Sequence, residues 1–409
     1  MVDQQVGLDS SGEVGSRQSA VGSQELALLI THRSLLITHH SLLKKLLVIA
    51  PYQYLPYFSG GQKSIAQFLD HLGRQSNLTA ISVSENDPSL IRSYKHLAWL
   101  KKRSFSKYFD LSLILKLTKL IKEEKFDAII WEHPYYTWLA GIIKKRTGTK
   151  TMLHIHNIEY QRFQSTGKWW WPVLRTYEKR FFKIADEILF VSPDDKNFAI
   201  EKWGIEEKKC IEVAFGVEIS KYPDDKDRCK KAVKEIHKIA HDEKIFLFNG
   251  LLDYKPNLDA LLAILKDINP ILLRHPDFKY KIIICGKRLP AELNELRNYA
   301  DKNIVYAGFV QDIEMYFKAA DLFLNPVQSG GGIKTKMVEA IAFGTTVITT
   351  ETGAMGIHRD ICGNKLVVVP DNNWNDFAEA IINNSNKYEI TPTAYYEYYY
   401  WGSIVKKIV

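Results

Sequence analysis

The chain contains no run of 18 or more apolar residues. Because a helix that crosses a bilayer needs about 20 apolar residues, we expect no transmembrane helix. Cysteine is also scarce, with four residues in 409 and no CxxC spacing. A disulfide framework and a structural zinc site are therefore not expected, and the composition fits a reducing, cytoplasmic location.

Two kinds of binding motif are missing as well. We find no arginine-rich arm and no familiar nucleic-acid motif, so nucleic acid is not an expected partner. No GxGxxG fingerprint follows the first predicted strand in either half of the chain, which argues against a nicotinamide cofactor. The net charge is +8, with lysine and arginine spread along the chain. This excess fits either a solvated surface or attraction to anionic lipid or a phosphorylated substrate.

The start of the chain differs in character from the remainder. Residues 1–25 are rich in Ser, Gly and Gln, and residues 28–43 repeat a short unit, LLITHRSLLITHHSLL. The first composition is typical of disorder, and the apolar runs broken by histidines do not resemble a signal peptide. We interpret residues 1–43 as a disordered or non-native leader, with the native start near Lys44.

Short apolar runs alternate with amphipathic helical patterns after the leader. The alternation predicts a doubly wound α/β domain over residues 44–225. Its strands are predicted at Leu46–Ala50, Leu78–Val83, Asp127–Trp131, Lys150–Ile155 and Glu187–Val191, and its helices around Ile65–Leu72 and at Leu111–Lys125, Thr137–Lys145 and Leu174–Ile184.

The alternation restarts after a polar stretch, residues 220–243, which we interpret as a linker with a short helix. A second Rossmann-like domain is predicted over residues 240–385, and ligands of such sheets bind beyond the carboxyl ends of the strands. Its strands are predicted at Ile245–Phe248, Tyr280–Cys285, Ile304–Ala307, Asp321–Asn325, Thr346–Thr349 and Lys365–Val369, and its helices at Leu258–Leu265, Ala291–Tyr299 and Ile313–Ala320.

The most informative segment is residues 328–356, QSGGGIKTKMVEAIAFGTTVITTETGAMG. Three glycines run into an amphipathic helix that ends at Gly344. The free N–H groups and the dipole of a helix start favour a phosphate. Glu339, deeper in the helix, is placed to accept hydrogen bonds from a ribose diol, so we predict a nucleotide-linked ligand. The alternative is a surface ion pair of Glu339 with Lys336.

Seven motifs, taken in their order along the chain, resemble those of the family 4 (group 1) glycosyltransferases of the GT-B fold. The resemblance extends from about Lys44 to the C-terminus. The resemblance implies two Rossmann-like domains that face a cleft, the first on the acceptor side and the second on the donor side. It also implies that residues 386–409 pack back on the first domain. The motifs are SGG (59–61), HIHNIEY (154–160), YEKRFFKIADEILFVS (177–192), IEVAFGVE (211–218), GLLDYKPN (250–257), AGFVQDI (307–313) and YYYWGSIVKKI (398–408).

The same resemblance implies a retaining, hexosyltransferase type of reaction from a nucleotide-diphosphate sugar to a glycan or lipid-linked acceptor, with no cofactor and no metal. Surface polysaccharide synthesis is the implied role. The leaving diphosphate gains charge, so fixed hydrogen-bond donors must meet it. Two other classes stay open: another GT-B enzyme, such as an epimerase or phosphorylase, and a non-catalytic nucleotide-binding scaffold.

Glu339 matches the second glutamate of the family's E-x7-E motif, but Gly331 stands at the first. The resemblance therefore assigns the sugar contact to the amides of Gly330, Gly331 and Gly332, with Thr335 in the same donor-binding set.

The family's arginine and lysine positions for the diphosphate hold Leu251 and Pro256. We predict that Lys255 and Lys334 replace them, the alternative being that both lysines are merely solvent-exposed.

His156 resembles the family's cleft histidine and completes the predicted catalytic set with Lys334 and Glu339; the alternative is a structural histidine. His154 is expected to point the opposite way and to be structural. Glu159 is expected to orient its loop or cap a helix.

Gly60 and Gly61 are predicted to let the backbone approach the donor or acceptor, unless they form an ordinary turn. Val310 is predicted to lie against the base.

Two aromatic clusters remain. Lys168–Trp171 (KWWW) lies beside basic residues, and indole rings favour a membrane interface, so peripheral contact with the inner face of the membrane is one interpretation. The other is that these tryptophans cover the edge of the core. Tyr395–Trp401 is interpreted as packing between the domains.

Overall fold

The computed structural model describes residues 43–100, 108–165, 167–330 and 332–409. Two parallel sheets with their helices confirm the predicted pair of Rossmann-like domains. The predicted leader, apart from Leu43, and Gly331 lie outside the described residues. Among the helices that are described, none is both long and apolar enough to cross a membrane.

The first sheet has seven parallel strands in the order β3-β2-β1-β4-β5-β6-β7. All five predicted strands of this half are present. Two edge strands, β3 and β7, were not predicted, because they are only half-buried and lack a continuous apolar run. The strands are β1 (Lys45–Ala50), β2 (Asn77–Val83), β3 (Lys95–Leu100), β4 (Ala128–Glu132), β5 (Lys150–Ile155), β6 (Glu187–Phe190) and β7 (Cys210–Glu212).

Six helices accompany this sheet, and each of the four predicted ones is found within a few residues of its expected place. The helices are α1 (Gly60–Gln75), α2 (Ser112–Glu124), α3 (Thr137–Thr147), α4 (Glu159–Ser165), α5 (Trp171–Ile184) and α6 (Pro193–Trp203).

The second sheet has six parallel strands in the order β10-β9-β8-β11-β12-β13. All six were predicted, since each contains a short apolar run. The inner strands are largely buried, whereas the edge strands β10 and β13 are only partly buried. The strands are β8 (Lys244–Leu251), β9 (Tyr280–Lys287), β10 (Ile304–Gly308), β11 (Leu322–Asn325), β12 (Thr346–Thr350) and β13 (Leu366–Val369).

The helices of this half depart from prediction in two places. The helix expected at Ala291–Tyr299 consists of 3₁₀ turns interrupted at Asn294, Glu295 and Leu296, whose φ angles are 45°, 51° and 59°. The helix expected at Leu258–Leu265 starts three residues earlier and passes into a π-helical turn at Ile264–Ile268. The α-helices are α7 (Lys226–His237), α8 (Lys255–Ala263), α9 (Asn269–Leu272), α10 (Ile313–Ala319), α11 (Thr335–Ala342), α12 (Arg359–Cys362) and α13 (Trp374–Asn384).

The C-terminal segment, α14 (Thr393–Tyr399) and α15 (Trp401–Val405), joins the two halves, as predicted. The hydroxyls of Tyr395 and Tyr396 donate to the carbonyls of Val338 and Ala342 in α11, each at 2.7 Å. The indole N–H of Trp401 donates to Gln67 Oε1 of α1 at 3.1 Å. Buried aromatic rings of this segment therefore connect a helix of the second domain to a helix of the first.

Both sheets reverse their strand order at one point, between β1 and β4 in the first and between β8 and β11 in the second. Ligands of open α/β sheets bind at such points, beyond the carboxyl ends of the strands. Helix α1 follows β1 and α11 follows β11. The fold thus carries the N-termini of these two helices to the reversal points of the two sheets.

Candidate active site

The N-termini of α1 and α11 meet across the cleft. Helix α1 begins at Gly60, and Ser59 caps it by accepting a hydrogen bond from the Gln62 N–H at 3.4 Å. A Cβ atom at Gly60 would lie 2.6 Å from Thr335 Oγ1, the first residue of α11. A side chain at position 60 would therefore force the Thr335 hydroxyl to move, whereas a Cβ at Gly61 would meet nothing within 4 Å.

Both helix starts carry lysines where acidic residues would stabilise the helix. Neither first turn contains an acidic residue. Instead Lys63 lies near the start of α1, Lys334 occupies the N-cap position of α11, and Lys336 follows in its first turn. The positive end of a helix dipole disfavours cations and favours anions. Two such ends that face one another favour binding of an anion between them, and the Lys334 ammonium adds to this attraction while it is protonated.

Lys334 is held by the glycine loop that precedes α11. Its Nζ donates to the carbonyls of Gly330 and Gly332, at 2.9 Å each. Burial lowers the pKa of Lys334 to about 8. Gly332 has a φ of 70°, and a Cβ there would lie 3.5 Å from Asn157 Oδ1 of the first domain. The loop of the second domain therefore touches the HIHNIEY segment of the first.

Lys336 points away from Glu339, so the alternative of a Lys336–Glu339 surface pair is wrong. Its Nζ donates to the Asn249 carbonyl at 3.2 Å and to Asn257 Oδ1 at 2.9 Å, and lies 4.9 Å from the centre of the Phe248 ring. Burial lowers the pKa of Lys336 to about 7, and Lys334 adds to this effect.

Glu339 forms its ion pair across the cleft with Lys63 of α1. The two side chains are only 15% and 20% exposed. Burial by itself lowers the pKa of Lys63, but the Glu339 carboxylate more than offsets this effect and the pKa is raised. Sequence reasoning missed Lys63, although it stands only two residues after the glycine pair.

A chain of buried polar side chains lies at the carboxyl ends of β4 and β5. The Glu132 carboxylate accepts hydrogen bonds from His154 Nδ1 and His156 Nε2, both at 2.9 Å. Burial alone would raise the pKa of Glu132, yet the two histidines hold it well below its ordinary value. The expectation that His154 points the opposite way from His156 is wrong, because side chains two residues apart along a strand share one face.

His133 extends this chain and has an unusual backbone. Its φ and ψ angles are 64° and 163°, a region that side chains rarely adopt. The ring stacks on those of His156 and Tyr135, with centroids 4.7 and 5.4 Å apart. Burial lowers the pKa of His133. Sequence reasoning missed both Glu132 and His133, although the EHP that directly follows a buried strand was a usable signal.

Glu159 orients the loop between β5 and α4, one of the two roles expected for it. Its carboxylate accepts hydrogen bonds from Asn157 Nδ2 at 2.7 Å and the Tyr135 hydroxyl at 3.0 Å, and pairs with Arg162. Burial opposes ionisation, but His133 and Arg162 lower the pKa of Glu159 to about 2. This network fixes Asn157, which touches the glycine loop.

In the part of the chain that the structure describes, one cluster has the composition of a metal site: Glu132, His154 and His156. Each histidine nitrogen lies 2.9 Å from a carboxylate oxygen. That separation is a hydrogen bond, and a bound cation would have to displace both shared protons.

Models of two glycosyltransferase families match the chain. The one described as Glycosyltransferase Family 4 matches residues 58–221, and the one described as Glycosyl transferases group 1 matches residues 243–386. The chain belongs to the family 4, group 1 glycosyltransferases. The matches cover both helix starts that face the cleft, the whole second sheet and all strands of the first sheet except β1, so the facing N-termini belong to a glycosyltransferase.

Two curated relatives align with most of the chain, and one of them is named a glycosyltransferase. The chain is 23% identical over 331 residues to the uncharacterized glycosyltransferase MJ1069 of Methanocaldococcus jannaschii. This alignment covers 74% of the chain and 80% of the relative. It is 25% identical over 289 residues to an uncharacterized 44.6 kDa protein in the cps region of Klebsiella pneumoniae, covering 66% of this chain and 68% of the relative.

Solved structures show the same fold at low identity. Anabaena HepE in complex with UDP and glucose superposes with a TM-score of 0.61 at 13% identity, over 89% of this chain and 98% of that one. The lipopolysaccharide outer core galactosyltransferase WaaB superposes with a TM-score of 0.60 at 14% identity, over 89% and 98%.

Two other predicted donor residues of this glycosyltransferase are Lys255 and Val310. Lys255 is 82% exposed and forms an ion pair with Asp259 one turn later, which must break before Lys255 can meet a diphosphate. Val310 is half-buried, three residues before the start of α10. Its neighbour Phe309 is 61% exposed, with Lys287 Nζ 3.6 Å from its ring centre.

The structure predicts a pH effect on stability that depends on Lys336. Between its folded pKa of about 7 and its ordinary value of 10.5, this lysine is deprotonated in the folded chain and protonated in the unfolded one. The unfolded state then binds more protons, so this group makes folding more favourable as the pH rises, by at most about 1.4 kcal/mol per pH unit. We expect the stability of the wild type relative to Lys336→Met, from urea unfolding, to increase from pH 7 to pH 9.

The matched control is Lys255→Met, since Lys255 is exposed and its difference from the wild type should stay flat over this range. A flat difference for Lys336→Met as well would contradict the buried, uncharged state of Lys336.

Proposed function

We propose that this protein is a retaining glycosyltransferase that moves a hexosyl group from a nucleotide-diphosphate sugar to a glycan or lipid-linked acceptor. The observation that carries the proposal is the meeting of the α1 and α11 N-termini across the cleft, with Glu339 on the inner side of α11. Backbone N–H groups and lysines from both domains then surround the place where a leaving diphosphate gains charge.

Each predicted donor residue has a role in this proposal. Lys334 and Thr335 meet the diphosphate, Gly60 and Gly61 let the start of α1 approach it, and Lys255 meets it once its pair with Asp259 breaks. The amides of Gly330–Gly332 contact the donor sugar, while Glu339 accepts hydrogen bonds from the ribose diol. Val310 lies toward the base. Lysines and helix ends supply the positive charge that a divalent cation supplies in other sites, so the reaction is expected to need no metal.

The proposed chemistry balances without a cofactor. The acceptor oxygen bonds to the anomeric carbon on the side from which the diphosphate leaves, and the acceptor proton passes to the leaving phosphate oxygen. His156 contacts the transferring sugar. Glu132 accepts the hydrogen bond from His156 Nε2 and thereby fixes the ring and its tautomer. Closure of the two domains keeps water from the sugar nucleotide.

Similar proteins support the choice of donor and the biological role. The HepE structure contains UDP and glucose, and WaaB is named as a lipopolysaccharide outer core galactosyltransferase. The Klebsiella relative is named for the cps region. We therefore propose surface polysaccharide synthesis from the cytoplasmic side of the membrane. An epimerase or phosphorylase would instead release free sugar nucleotides or sugar phosphates.

The test is thermal stabilisation by a panel of UDP-, GDP- and ADP-sugars, with and without EDTA. A ligand that binds the native state raises the melting temperature with concentration. Replacing Glu339 by Gln removes a charged hydrogen-bond acceptor worth about 1.5–3 kcal/mol. We expect one base to be selected, and Glu339→Gln to weaken its binding about tenfold to a hundredfold.

The matched control is Glu379→Gln, an exposed glutamate of α13, which should bind like the wild type. Absence of stabilisation by any sugar nucleotide would contradict the proposed donor site. Binding without transfer to any glycan or lipid acceptor would favour the scaffold, and loss of activity with EDTA would contradict metal independence.

An exposed tryptophan at the start of α5 supports contact with a membrane surface. The three tryptophans of the KWWW cluster differ in exposure. Trp170 packs on Phe163 and Trp171 packs on Tyr160, with ring centres 4.5 and 5.9 Å apart. Trp169, in contrast, is 85% exposed. Lys168 is exposed beside it. An indole ring next to a cation fits the headgroup region of an anionic bilayer, so we propose peripheral binding there.

The substitution Trp169→Ser should reduce co-sedimentation with vesicles of phosphatidylglycerol and phosphatidylethanolamine severalfold, because the indole no longer enters the headgroup region. Tyr388→Ser is the control, since Tyr388 is 79% exposed between α13 and α14, and its substitution should leave sedimentation unchanged. Equal sedimentation of all three proteins would exclude Trp169 as a membrane contact.

A further inference from the structure

Lys63 connects the two domains at the point where the donor is proposed to bind. It belongs to α1 of the first domain, and its ammonium forms an ion pair with Glu339 of α11 in the second. Both side chains are largely buried, so solvent screens the pair only weakly. Glu314 of α10 adds a second carboxylate near the same ammonium.

The ion pair uses the carboxylate that the proposed function assigns to the ribose. Lys63 is bonded to Glu339 Oε1. A ribose diol that hydrogen-bonds to both oxygens of this carboxylate takes up a lone pair of Oε1. In the exchange proposed here, it displaces the Lys63 ammonium from that oxygen. Donor binding and the Lys63–Glu339 pair are therefore linked.

A Lys63 side chain released from Glu339 is within reach of the place where the diphosphate is proposed to bind. In a helix the side chains lean toward the N-terminus, and Lys63 lies three residues, or about 4.5 Å along the axis, from Gly60. Gly60 marks the start of α1 and faces Thr335. An ammonium that leaves Glu339 can thus turn toward the place between the helix starts where the diphosphate is proposed to bind.

We propose that Lys63 is an exchangeable cation of the donor site, held by Glu339 until the ribose takes this carboxylate and then bound to the donor diphosphate. The inference rests on the proposed function. It supplies a cation for the diphosphate in a chain that carries Leu251 and Pro256 where related enzymes carry an arginine and a lysine. It also makes the ion pair between the domains responsive to the donor.

The exchange predicts opposite effects on two classes of ligand. Lys63→Met removes the competitor of the ribose, so nucleosides should bind about threefold or more tightly. The same change removes a charge-assisted hydrogen bond to the diphosphate, so nucleoside diphosphates should bind about tenfold more weakly. The probes are uridine and UDP, guanosine and GDP, and adenosine and ADP, followed by calorimetric titration or, for weak binders, by chemical-shift titration.

Three variants keep the test interpretable. Lys63→Arg retains the charge and should retain the preference for the diphosphate, while Lys119→Met, an exposed lysine of α2, should bind like the wild type. Lys63→Gln keeps a hydrogen-bond donor for Glu339 and replaces Lys63→Met should that variant fail to fold.

The outcomes separate this inference from the proposed function. A wild type that binds none of the three diphosphates overturns the proposed function and the exchange with it. A wild type that binds one of them, with Lys63→Met and Lys63→Gln changing nucleoside and diphosphate affinity in the same direction or not at all, overturns only the exchange.

Discussion

The approach of two helix N-termini across one cleft is the constraint on which this site depends. Gly60 faces Thr335 so closely that a Cβ atom there would displace the Thr335 hydroxyl, and no acidic side chain in either first turn relieves the positive potential of the two helix ends. Lys334 adds to this potential while it is protonated, whereas Lys63 is paired with Glu339 and the pKa of Lys336 is lowered by burial. Positive potential at a helix start disfavours folding, and a bound anion, as proposed above, would relieve it.

The packing around the cleft supports this close approach. The C-terminal segment connects α11 to α1 through the Tyr395, Tyr396 and Trp401 side chains. Asp194 of α6 accepts a hydrogen bond from the Gly356 N–H of the second domain at 3.1 Å. In the first domain, the buried carboxylates of Glu132 and Glu159 bond to His156 and Asn157. Buried partners therefore hold these two cleft residues, whereas Lys334 is held by carbonyls of the glycine loop.

Much of the fold could be predicted from the sequence, because buried parallel strands are continuous apolar runs such as those of β1 and β8. The edge strands β3 and β7 could not, since their sequences, KHLAWL and CIE, contain no continuous apolar run. Within the site, the glycine loop and Glu339 follow from local patterns. Lys63 and Glu132 do not, because their importance comes from partners that are 276 and 22 residues away. The alternative of a Lys336–Glu339 pair was wrong, because helical spacing alone does not show that a lysine of the other domain pairs with Glu339.

The most direct measurement is a crystal structure of the protein with a bound nucleoside diphosphate. The account predicts that the two phosphates lie between residues 60–63 of α1 and residues 332–336 of α11, with the ribose hydroxyls on Glu339. A nucleotide bound elsewhere, or bound in the cleft with its phosphates pointing away from both helix starts, would contradict it.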